Sequence, residues 1–222
     1  MSSKPNSLLS ISRGQAKVSV EFRPLEDRFR HWIRFENELV KWSLFSLEGD
    51  FSSEDDAALD SNEVCGFSLQ EIHEESREDA DVIFGVGMAH GVHFSVSVAS
   101  NRQNCLRFDF ACRAPTKPDF LGCRYGWRPD AQGIELDPVE IEKVIRPVGE
   151  TVVEFQPNGS AAGFQLPLGS GAGTPPDEDV KECGLRVRPG SLPPEFPATI
   201  QWGFVVSLEA VVSTEAVVST EA

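Results

Sequence analysis

The sequence predicts an all-β protein: an antiparallel β-sandwich of jelly-roll or concanavalin-like type, with one short helix. Three observations predict it. Apolar and polar residues alternate in about ten short runs, the period of strands with one buried face. Proline- and glycine-rich turns separate those runs. Only one segment carries both a capping box and a hydrophobic staple to start a helix. A closed barrel is the second choice.

The hairpin at residues 92–112 anchors the reading. Phe94, Val96 and Val98 alternate with Ser95, Ser97 and Ala99. After a short polar loop, Leu106, Phe108, Phe110 and Cys112 alternate with Arg107, Asp109, Ala111 and Arg113. Two such runs form an antiparallel pair with one oily face, and the rest of the chain must cover it.

Residues 1–15 read as a flexible leader. Val18, Val20 and Phe22 then face inward from a strand that ends at Pro24. Two further strands, 31–35 and 39–47, flank a turn at FENE. Residues 48–63 hold seven carboxylates and no base. They lack the ligand register and glycine of a calcium loop, so they read as a solvated surface loop. Ser68 as N-cap, Glu71 at the third helical position, and Phe67 against Ile72 predict a short helix ending at 75–77. The loop and helix, 48–78, form an insertion.

Val82, Phe84, Val86 and Met88 share one side of the next strand. Gly85 and Gly87 on its other side predict a bulge or a close neighbour. Residues 120–127 are a strand bounded by prolines. Residues 133–148 read as a strand interrupted at Pro138, with a helix capped by Asp137 as the competing reading. Strands follow at 151–156, 164–168 and 185–187, with a Gly-, Pro- and acid-rich loop at 169–182. Ile200, Trp202, Phe204, Val206 and Leu208 mark the clearest alternating strand, expected to be central or long. The single domain spans 16–210, and 211–222 form a tail carrying the AVVSTE repeat.

The formal net charge is −15 over 222 residues. That field repels phosphate backbones and anionic membrane surfaces, so neither nucleic acid nor membrane is an expected partner. Five cysteines without a C-x-x-C spacing make neither a disulfide framework nor a zinc ribbon. The first residues lack the apolar run of a signal peptide, and a cytoplasmic location is the expectation. Phosphate-loop, dinucleotide, nucleophile-elbow and H-E-x-x-H motifs are absent, so no cofactor is expected.

Three constellations are candidates for chemistry. The first is Glu135-Leu136-Asp137-Pro138-Val139-Glu140. It resembles the E-x-D-x-x-E signature of retaining β-glucanases over these six residues. The resemblance implies Glu135 as nucleophile, Asp137 as its support and Glu140 as acid/base, about 5 Å apart. The second is His90 and His93, whose imidazoles suit a metal if the chain bends at Gly91. The third is Arg124-Tyr125-Gly126-Trp127-Arg128, where Arg124, Tyr125, Trp127 and Arg128 suit stacking on a sugar or gripping a protein. The primary reading is a non-catalytic binding or structural module for protein or carbohydrate. A retaining glycoside hydrolase and a metal-dependent enzyme are the alternatives. A homodimer through a sheet edge or the C-terminal tail is a further expectation.

Overall fold

The computed structural model describes residues 7–25, 27–37, 41–46, 63–65, 69–89, 91–101, 104–118, 120–129, 144–148, 151–157, 162–165 and 181–210. They contain fifteen strands and no helix. In order these are β1 (Ser7–Arg13), β2 (Ala16–Leu25), β3 (Arg28–Glu36), β4 (Lys41–Ser46), β5 (Glu63–Cys65), β6 (Glu71–Ser76), β7 (Ala80–Ala89) and β8 (Val92–Asn101). There follow β9 (Cys105–Ala114), β10 (Phe120–Pro129), β11 (Val144–Val148), β12 (Thr151–Pro157), β13 (Ala162–Gln165), β14 (Lys181–Pro189) and β15 (Ala198–Ala210).

The strands build two sheets and no closed barrel. The first has the order β1-β2-β3-β4-β10-β14-β13, with β5 added beside β10. The second has the order β11-β12-β15-β9-β8-β7-β6. Every pairing is antiparallel except that of β5 with β10. The predicted sandwich is therefore the observed architecture.

The core lies between the sheets, where alternation sends one side chain in two. Val18, Val20, Phe22, Ile33, Phe35 and Leu44 enter from the first sheet. Leu106, Phe108, Phe110, Trp202, Phe204 and Val206 enter from the second. Phe108 and Phe204 are register partners on β9 and β15, and their rings stack at 4.4 Å. Tyr125 reaches across from β10 and meets Phe204 edge-on at 6.1 Å. Edge and face carry opposite partial charge, so this contact adds to the area it buries.

β1 meets β7, β8, β9 and β15 of the facing sheet. A single strand reaches four successive neighbours only by crossing them steeply. Just before β6, a backbone bond reaches the first sheet, where Phe29 on β3 donates to the carbonyl of Leu69 at 2.8 Å.

Two expectations are corrected. Residues 7–13 are not a leader: Ser7, Leu9 and Ile11 are buried while Leu8 and Ser10 are exposed. The run LLSIS is a half-buried edge strand, too short to stand out beside the polar residues before it. The predicted helix is also absent, and residues 71–76 form β6. Gln70 explains the switch. Its amide donates to the Met88 carbonyl at 2.9 Å and accepts from the Met88 N–H at 2.7 Å, while its own N–H donates to the Val86 carbonyl. These distant bonds replace the local ladder of a helix. Leu69 and Ile72, the expected helix stripe, fill the space over Gly85 instead. Gly85 is thus the predicted close neighbour: a methyl there would lie 2.9 Å from Ile72 and 2.9 Å from Val96. The β7–β8 register runs without a bulge.

The acidic insertion is tied into the first sheet through β5. Residues 47–62, 130–143 and 211–222, which hold the expected acidic loop, the Glu135–Glu140 stretch and the AVVSTE repeat, lie outside the described residues.

Candidate functional site

Tyr125 was expected to bind a ligand, and the structure corrects this. Its side chain lies on the inner face of β10 with no exposure. The hydroxyl sits 3.0 Å from His31 Nε2, and the two rings meet edge to face at 5.3 Å. A buried phenol must satisfy its oxygen internally, and His31 does so. His31 is itself 2% exposed, and its backbone N–H donates to Ser46 Oγ at 3.1 Å. Burial drives the imidazole down to about 3, so the ring is neutral at pH 7. Tyr125, His31 and Ser46 form an internal polar row from three adjacent strands, closed to any sugar or protein.

Arg124, Trp127 and Arg128 lie in β10, but their side chains are outside the described residues. Glu135, Asp137, Glu140 and His90 are outside them altogether. His93 is exposed on β8. Among the described residues no group of three or more His, Cys, Asp or Glu side chains is arranged to hold a metal. Two described thiols, Cys105 and Cys112, are poor nucleophiles. Burial raises Cys112 to about 12 and raises Cys105 above its ordinary value, leaving both protonated at pH 7.

The open chemistry lies instead on the outer face of the second sheet. Register partners share a face, so three rows can be read across β7, β8, β9 and β15. One is Met88–His93–Arg113–Thr199. The next is Val86–Ser95–Ala111–Gln201, and the third is Phe84–Ser97–Asp109–Gly203. At the Phe84 end, the Arg77 guanidinium covers the ring at 5.3 Å. At the other end, Val86 and Met88 are 43% and 53% exposed.

Two shallow grooves meet at His93 and Arg113. One, of about 510 Å³, is lined by Gly91, His93, Arg113, Pro115 and Pro197. The other, of about 310 Å³, runs over Val86, Ser95, Ala111 and Thr199 and shares His93 and Arg113. Gly91 turns the chain there with φ 75°, a conformation that disfavours side chains, and leaves the groove mouth uncovered.

The arginines of β9 differ in their partners. Arg107 is neutralised by Asp109, with Nε 2.8 Å from Oδ2 and Nη2 3.1 Å from Oδ1. Arg113 is exposed and has no carboxylate within ion-pair reach among the described residues. The site thus combines an open guanidinium, an imidazole beside it, hydroxyls from Ser95 and Thr199, and two exposed aliphatic side chains. It has hydrogen-bond donors and apolar area.

Alternation already placed Arg113 on the polar side of its strand. Its lack of a partner was not readable, because that depends on which strands flank β9. Likewise Val86 and Met88 visibly share a face, but only the second sheet's order shows that this face is the outer one.

Comparison with known protein families finds no match for the chain, and comparison with curated proteins finds none either.

Proposed function

We propose that this chain is a non-catalytic binding module and that its partner is a protein, held on the outer face of the second sheet. The observation that carries this is the exposure of Val86 and Met88 beside the paired grooves. Large apolar side chains clustered at a concave, polar-rimmed surface are the usual anchors of protein recognition. Aliphatic and thioether groups favour protein side chains over sugars, whose rings prefer aromatic platforms. The grooves run over strand backbone and suit an extended segment of the partner.

Position-specific photocrosslinking tests this. A crosslinking residue is placed at Met88 and, as a control, at Leu8, which is 54% exposed on β1 without either groove beside it. In extract of the native cell, position 88 is expected to capture a defined protein that position 8 does not. Adding V86K should then reduce its capture about tenfold, since a central anchor typically contributes about 1–2 kcal/mol. Equal capture at both positions, or none at 88, would overturn the reading.

A further inference from the structure

Resting on that reading, we propose that Arg113 and His93 form a carboxylate-binding subsite, so that the bound segment presents an Asp or Glu side chain to the junction of the two grooves.

The first support is geometric. His93 and Arg113 are register partners on β8 and β9, so their Cβ atoms stand about 5 Å apart on one face. Side chains that close can address the two oxygens of one carboxylate. A guanidinium offers parallel N–H donors matched to a carboxylate, and the imidazole supplies one more. Both residues line both grooves, so an extended segment crossing the junction passes directly over them.

The second support is electrostatic. The chain carries −15 overall, and the strand's one other arginine, Arg107, has its carboxylate in Asp109. An exposed guanidinium left open in a surplus of acids, among the described residues, is a position where an outside carboxylate completes the pairing. The surrounding negative field disfavours polyanions, which would bring many charges close. A single carboxylate flanked by neutral residues is tolerated. On the same face, Met88 lies in the row of His93 and Arg113 and Val86 in the next row, and both would take an apolar neighbour of that acid.

The test uses the full chain, ¹⁵N-labelled, titrated with acetyl-Leu-Glu-Leu-amide and with its Leu-Gln-Leu isostere. The glutamate peptide is expected to shift the Arg113 side-chain Nε–H signal and the backbone amides of His93, Ser95 and Ala111. It should bind about tenfold more tightly than the glutamine peptide, the usual margin of a charge-assisted pair. R113Q should abolish that difference, and R113K should restore part of it, since an ammonium keeps the charge but not the fork. Equal binding of the two peptides at these residues would overturn the carboxylate subsite and leave the apolar docking face standing. No shift with either peptide at 20 mM, together with failed crosslinking at position 88, would overturn both. Glucuronate shifting the same signals while the peptides do not would replace the protein segment with an acidic sugar. Shifts on dilution of the chain alone would make the occupant a second copy.

Discussion

His31 is a titratable group sealed into an apolar interior, and its consequence is acid sensitivity. Its folded-state value is about 3, against 6.5 when the chain is unfolded. Between those values the unfolded chain binds the extra proton and the folded one does not. Stability is therefore full above about pH 6.5 and declines as pH falls toward 3. At pH 5 the loss from this residue alone is about 2 kcal/mol. Urea unfolding at pH 7 and pH 5 should show that loss in the parent and a smaller one in H31Q, which keeps a hydrogen-bonding partner for Tyr125 but does not titrate. Carboxylates contribute little in this window, because they titrate lower. Gly203 is a second residue with a sharp consequence. It faces Asp109 in the central β9–β15 pair, and a methyl there would overlap the Phe108 carbonyl oxygen. That obstacle is backbone and cannot swing aside. G203A is expected to destabilise by about 1–3 kcal/mol, read as a lower urea midpoint at unchanged slope. His31 is in phase with Ile33 and Phe35, so its inward direction was legible but the depth that holds it neutral was not; Gly203 sits in the polar phase of its strand, and its steric role was not legible.

At the scale of elements, β6 is the instructive case. Its residues carry a capping box and a hydrophobic staple, both local signals, and both favour a helix. The Gln70 bonds to Val86 and Met88, and the notch at Gly85, are non-local and invisible to a window of ten residues. Strands with strict alternation, such as β8, β9 and β15, were legible because periodicity and burial agree. β1 was missed because Ser7 and Ser10 dilute its apolar residues. Position explains the charge of β6, which edges the second sheet. Between Glu71 and Asp79 there are five carboxylates and one guanidinium. Like charges on an edge oppose its pairing with a second copy. The expected homodimer should therefore not form through this edge. Light scattering should find no self-association of the parent through it, whereas the triple variant E71T/E74T/E75T should associate at high concentration. If that variant behaves as the parent does, the charges are not what guards the edge.

For the whole molecule, the sandwich was legible because two sheets facing each other are the simplest cover for so many one-sided strands. The binding face was only half legible. Sequence shows which residues share a side of a strand, but the side that meets solvent is decided by sheet order. That is why Tyr125, with a binding residue's chemistry, is core, while Val86 and Met88, with core chemistry, are surface. Among the described residues no helix is long and apolar enough to cross a membrane.

The steep crossing of β1 over the second sheet includes a bond between segments 195 residues apart: Arg13 Nη1 donates to the carbonyl of Leu208 at 3.1 Å. β15 is also the strand that joins β9 to β12 in the middle of its sheet. During synthesis, then, β1 waits for β15. Until β15 emerges, the inner faces of β1, β9 and β12 have no complete partner surface, and apolar residues such as Leu9 and Phe108 stay reachable by chaperones and by neighbouring nascent chains. Contacts this far apart in sequence make folding slow: a nascent chain that has not yet exposed Leu208 holds an open half-sandwich.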